Sequence, residues 1–165
     1  MCKWKIAVVL LFVSSTGAMW AQSTISSFTV TPAGATFAAS LDPDATVSPV
    51  SSTAQWYLRM GAVFQSWTLR VNASSATVLN CPRVPLSAFR ITCVSVSAPL
   101  WGNGSCASGA IPVSTTPQTL ASGSQFLLSG TYTVTLQISF TDSWRYPAAL
   151  ASGCSLSLSY VADAP

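Results

Sequence analysis

Beyond residue 21 this 165-residue chain carries only nine formally charged side chains. They are Asp42, Asp44, Asp142 and Asp163 against Arg59, Arg70, Arg83, Arg90 and Arg145. Two short stretches concentrate them. Asp42-Pro43-Asp44 places two carboxylates two residues apart, an arrangement used for hard cations that take oxygen ligands. Calcium asks for about six to eight oxygens, and only backbone carbonyls and hydroxyls stand nearby to complete the set. Asp and Pro are also ordinary turn formers, and a solvated turn is the favoured reading, with calcium as the sharper alternative. The second stretch, Thr141 to Tyr146 (TDSWRY), packs Asp142, Trp144, Arg145 and Tyr146 into one turn. Trp, Tyr and Arg are enriched where binding energy concentrates. The competing and favoured role is to cover an open end of the fold, where aromatics bury much apolar area while Asp142 and Arg145 pair. Trp101, beside Gly102 and Gly104, is weighed in the same way.

Catalysis finds little to work with. General acid–base schemes need a group titrating near neutral pH, and residues 22–165 contain no His, Glu or Lys. A Ser or Cys nucleophile would lack the adjacent base that activates it. Asp142-Ser143-Trp144 lacks the glycine of an aspartic-protease loop, and Trp101 to Ser105 (WGNGS) lacks the length and lysine of a phosphate loop. The expectation is a protein that is not an enzyme and needs no cofactor. Five scattered arginines make no basic stripe, so nucleic acid is not an expected partner.

The first 21 residues read as a secretory signal peptide. Lys3 and Lys5 precede an apolar run, Ile6 to Val13, and small residues follow with cleavage expected after Ala18 or Ala21. The run is too short to span a hydrocarbon core about 30 Å thick. Cys2 lies before it and is no lipid-attachment cysteine. No later stretch is a transmembrane candidate. The expected location is therefore secreted: periplasmic, cell-surface or extracellular. Residues 22–165 have the size of one domain.

Four cysteines remain, Cys81, Cys93, Cys106 and Cys154, an even number that implies two disulfides in an exported chain. Three connectivities are possible and spacing does not choose among them. Cys93–Cys106 with Cys81–Cys154 is preferred, since the second bridge would tie the last strand to mid-chain. Without His or a CxxC pair, a metal site is not expected.

The elements that must position these residues are strands. Gly130 to Phe140 (GTYTVTLQISF) alternates strictly, with Tyr132, Val134, Leu136, Ile138 and Phe140 on one face and hydroxyl-rich residues on the other. Its apolar face calls for Trp67, Leu69, Phe89, Ile91, Leu156 and Leu158 as partners. Ile25 to Val30 reads as an edge strand ended by Pro32 and Gly34, and Thr36 to Leu41 as a second. A turn-rich loop follows, and strand character resumes at Gln55 to Met60. Ser66 to Asn72, Thr77 to Leu79 and Phe89 to Val96 come next. In the last of these the apolar parity switches near Cys93, as a β-bulge or a strand buried on both faces would produce. Pro99 to Pro112 reads as a glycine-rich loop. Gln118 to Ala121 and Gln125 to Leu128 read as two short strands around Ser122-Gly123, and Cys154 to Val161 as the last strand. About nine to ten short strands with no convincing helix predict an all-β, antiparallel two-sheet β-sandwich, immunoglobulin-like or pilin-like. Asn72-Ala73-Ser74 and Asn103-Gly104-Ser105 fit the N-glycosylation sequon.

Trp67-Thr68-Leu69 resembles the Trp-x-Leu strand of the WxL surface domain of bacterial cell-wall proteins. The end of the chain, CSLSLSYVADAP, is similar to that family's second motif at Leu158 and Pro165. It departs at Cys154, Tyr160 and Ala162, where that motif has Tyr, Trp and Leu. The resemblance implies non-covalent association with a cell wall. A pattern-level likeness to pilin-type and coat-type sandwiches implies instead a subunit that polymerises by strand exchange through Ile25 to Val30. The expected function is a non-catalytic bacterial cell-surface protein, structural or adhesive, whose partner is a cell-wall or surface component or, in the alternative, like subunits.

Overall fold

A computed structural model of the chain describes residues 24–37, 47–141 and 153–165. Within them ten strands form two antiparallel five-stranded sheets. In chain order they are β1 (Thr24–Thr31), β2 (Gly34–Phe37), β3 (Val50–Arg59), β4 (Phe64–Ala73), β5 (Phe89–Ser97), β6 (Gly102–Cys106), β7 (Ile111–Pro112), β8 (Gln118–Phe126), β9 (Gly130–Phe140) and β10 (Cys154–Asp163). One sheet runs β1-β3-β9-β5-β7 and the other β2-β10-β4-β8-β6. This is the all-β two-sheet sandwich that the alternation predicts. Among the described residues no helix is long and apolar enough to cross a membrane.

β9 is the central strand of its sheet. It pairs with β3 from Val50↔Ile138 to Leu58↔Gly130, and with β5 from Phe89↔Phe140 to Ser97↔Thr133. Its five alternating apolar side chains are all buried. Phe89 and Ile91 join them from the neighbouring β5, while Trp67, Leu69, Leu156 and Leu158 close the core from the opposite sheet. The parity switch in β5 is a bulge, with a register shift between Cys93 and Ser95 that leaves Val94 outside and Cys93 inside.

Two cysteine pairs stand at disulfide distance, Cys81–Cys154 and Cys93–Cys106, each with Cα atoms 5.3 Å apart. The first ties the β4–β5 connection to the start of β10. The second joins β5 in one sheet to the edge strand β6 in the other.

Four expectations need correction. Pro99 to Pro112 is not a loop throughout, because it contains β6 and β7. Ser122-Gly123 interrupts nothing, and β8 runs unbroken through it. These two errors share a cause. Gly104 lies opposite Gly123 across the β6–β8 pair, and a Cβ on either would run into the Trp67 indole. Both glycines make room for a large side chain inside a sheet instead of marking turns. Thr77 to Leu79 is no strand, only a single bridge between Leu79 and Ser155. Finally, β3 begins at Val50, inside the stretch expected to be a loop. Its inward positions there are the small residues Ser52 and Ala54, which carry too little hydrophobicity to reveal the alternation. Ser52 satisfies its buried hydroxyl by donating to the Pro32 carbonyl at 2.6 Å.

Gly123→Ala is therefore expected to destabilise the fold by about 2 kcal/mol, a small-to-large change against a closely packed indole. Ser122→Ala, exposed on the same strand, should shift stability by less than about 0.5 kcal/mol. Urea unfolding followed by tryptophan fluorescence compares the two.

Candidate functional site

Three connections meet at one end of the sandwich: 60–63 between β3 and β4, 98–101 between β5 and β6, and 127–129 between β8 and β9. The antiparallel registers bring them there together. Arg59 lies opposite Thr24, Leu58 opposite Gly130, Phe64 opposite Phe126 and Gly102 opposite Gln125. None of these connections contains a charged residue. They and the strand ends beside them expose Val63, Phe64, Leu100, Trp101, Phe126, Leu127 and Leu128. Leu100 is 73% exposed, Val63 and Phe64 60%, and Trp101 59%. Large apolar side chains standing this far out as a group make this end the candidate for an interaction surface.

The end is knit together by its own backbone. Leu127 N–H donates to the Val63 carbonyl at 2.8 Å, and Phe126 N–H to the Trp101 carbonyl at 3.1 Å. Gly102 N–H donates to the Pro99 carbonyl at 2.9 Å, and Met60 N–H to the Ser129 hydroxyl at 2.9 Å. Two bulky residues hold left-handed backbone conformations here, Trp101 at φ 64° and Leu127 at φ 62°. For residues with large side chains that conformation is costly and persists where surrounding contacts impose it. Here the conformation accompanies side chains that are exposed, so core packing does not explain it.

Beneath the surface lies a buried polar connection. Gln125 is fully buried, and its Nε2 donates to the Leu100 carbonyl at 2.9 Å. The Tyr132 hydroxyl lies 2.7 Å from Gln125 Oε1 and 2.9 Å from the Ser124 carbonyl, so its single proton is shared between two acceptors. The Tyr132 ring stacks on Trp56 with centroids 5.6 Å apart and meets Trp67 at 4.8 Å; the two indoles lie edge to face at 5.1 Å. Burial pushes the Tyr132 phenol above its ordinary value, with the neighbouring Trp67 acting in the opposite direction. The same cause pushes the Tyr160 phenol up to about 12, offset in part by Ser52. Both are neutral at physiological pH; the Tyr132 hydroxyl is hydrogen-bonded, whereas the buried Tyr160 hydroxyl has no partner at hydrogen-bonding geometry among the described residues.

Of the residues singled out from sequence, Trp101 belongs to this end. Asp42, Asp44, Asp142, Trp144, Arg145 and Tyr146 lie outside the described residues. The Trp67 and Leu69 side chains are wholly buried in β4, so the Trp-x-Leu strand contributes to the core and not to the surface. Asn103 is exposed on the edge strand β6, its Oδ1 accepting from the Ser124 N–H and hydroxyl, both at 3.1 Å. Asn72 is half-buried. Asp163 forms an ion pair with Arg70. No group of three metal-ligating side chains occurs among the described residues. Between the sheets, the void bordered by Val71, Ile91 and Leu158 amounts to about 10 Å³, too small for an organic ligand.

Sequence reasoning missed the rest of the surface because it sought polar and aromatic clusters. Its signal was nonetheless present: three separate turns, MGAV, APLW and LLS, that are apolar where turns are ordinarily polar. The chain matches no protein-family model, no curated protein and no solved structure.

Gln125→Leu keeps the approximate volume but strips the amide from between Tyr132 and Leu100. It should destabilise the protein by about 1–3 kcal/mol, because the Leu100 carbonyl and part of the Tyr132 hydroxyl lose their partner. Chemical unfolding measures the loss; an unchanged midpoint would mean that the buried connection contributes no stability.

Proposed function

We propose that this protein is a non-catalytic binding module of an exported bacterial surface, and that it attaches through the apolar end formed by residues 60–63, 98–101 and 127–129. One observation carries the reading: a charge-free group of exposed apolar side chains is held outward by hydrogen-bonded loops and a buried Tyr132–Gln125–Leu100 connection. A soluble fold loses nothing by placing polar residues in turns, so an apolar set supported in this way is best accounted for by contact with something else. The two cysteine pairs at disulfide distance suit an oxidising space outside the cytoplasm. The absence of His, Glu and Lys from residues 22–165 favours binding over catalysis.

The alternative of a polymerising pilus or coat subunit makes Ile25 to Val30 the exchanged strand. In the monomer β1 is already paired to β3, from Thr24↔Arg59 to Thr31↔Thr53. Exchange would have to break that pairing first, which leaves surface binding as the preferred reading.

Washed cell-envelope fragments of a bacterial host provide the test. Protein purified after export should sediment with them, and Phe64→Ser/Leu127→Ser, which changes two exposed side chains, should remain in the supernatant. No retention of the wild type, or equal retention of both proteins, would remove the proposal. Head-to-tail polymers at high concentration would favour the subunit alternative.

A further inference from the structure

We infer that the occupant of this end is a lipid surface, into which the three loops dip. The inference rests on the binding reading above and narrows it to one partner. A protein partner and a bilayer make opposite demands on backbone polar groups. Protein interfaces carry about one hydrogen bond per 100–200 Å² and therefore use free donors and acceptors. Hydrocarbon supplies none, so backbone groups entering it must already be paired within the protein. At this end the amides of Met60, Gly102, Phe126 and Leu127 are all paired internally. So are the carbonyls of Val63, Pro99, Leu100 and Trp101. The loops thus present apolar side chains over a backbone several of whose donors and acceptors are already closed within the protein.

The side-chain types at this end are those that a membrane interface takes up. Phe64, Leu100 and Leu127 are exposed hydrocarbon, and Trp101 adds an indole of the kind that settles at the headgroup level. Arg59, exposed at the end of β3, stands one residue before the charge-free loop, where a guanidinium can meet lipid phosphate. No aspartate among the described residues lies in the three loops to oppose an anionic surface.

The course of the chain points the same way. β1 begins at Thr24, opposite Arg59, so the 23 residues before it join the fold at this end. Those residues include the apolar run Ile6 to Val13. A newly exported chain still held at the membrane by that run would present this end to the bilayer first. The opposite end of the sandwich, where Phe37 meets Cys154 and Phe89 meets Phe140, would face away.

Flotation with protein-free vesicles tests the inference. Protein purified after export, its N-terminus defined by mass spectrometry, is mixed with vesicles of phosphatidylethanolamine and phosphatidylglycerol. The wild type should float with them, and lipids brominated near the headgroup should quench its tryptophan fluorescence. Leu100→Ser/Trp101→Asn should partition at least about tenfold less, since two large apolar side chains no longer leave water. Asn tolerates the left-handed backbone at position 101 better than Trp, so this variant should keep the wild-type melting temperature. The quenching result on the wild type stands independently of any variant. A wild type that remains at the bottom of the gradient, or a variant that floats equally well, overturns the inference. Retention on envelope fragments without vesicle flotation overturns the lipid surface alone and leaves surface binding in place; loss of both overturns both. A wild-type dimer in sedimentation velocity that the variant abolishes, with neither protein on vesicles, assigns the end to a second copy instead.

Discussion

The interaction on which the rest of this molecule depends is the contact of Trp56, Trp67 and Tyr132 across the two sheets. Trp56 and Tyr132 stand opposite each other on β3 and β9, and Trp67 reaches them from β4. Three large rings occupying one level of the sandwich set the local spacing of the sheets and require two glycines, Gly104 and Gly123, where the Trp67 indole passes β6 and β8. Tyr132 differs from its neighbours in that its buried polar group has partners, whereas the indole N–H groups of Trp56 and Trp67 have none among the described residues. The Tyr132 hydroxyl is satisfied by Gln125, and Gln125 in turn holds the Leu100 carbonyl. Core packing is thereby coupled to the loop that displays Leu100 and Trp101.

That coupling explains why an apolar end persists in a chain whose polar residues are mostly serine and threonine. Exposed loops with large apolar side chains would ordinarily turn them inward. Here the inner positions are already filled by the rings and by Gln125, while the loop backbones are tied to one another across β4, β6 and β8. The positive φ values of Trp101 and Leu127 fit this picture, being conformations imposed by the surroundings at a local cost. The cysteine pair Cys93–Cys106 joins the two sheets along the same strands β5 and β6 that carry the 98–101 connection.

Much of the fold was legible in the sequence. Strict alternation in Gly130 to Phe140 and in Trp67, Leu69 and Val71 specified faces, because side-chain direction in a strand follows parity alone. The parity switch at Cys93 allowed either a bulge or a strand buried on both faces, of which the structure has the bulge, and the preferred cysteine pairing is the one the strands bring together. What failed did so for local physical reasons. Gly104 and Gly123 look like turn residues but relieve a contact between elements distant in sequence, which no window of neighbouring residues contains. Ser52 and Ala54 are core positions too small or too polar to register as apolar. The candidate site was legible only at Trp101. Val63, Phe64, Phe126 and Leu127 become one surface through the pairing of β3, β4, β8 and β9, and sequence separation hides that assembly.

The central claim is that the buried hydroxyl–amide connection holds the apolar end in its outward form. Amide hydrogen exchange read residue by residue, in the wild type and in Tyr132→Phe, addresses it most directly. The account predicts that exchange accelerates at Gly102, Phe126 and Leu127 while the amides pairing β3 with the middle of β9 keep their protection. Unchanged exchange at those three positions, or a uniform acceleration across both sheets, would contradict it.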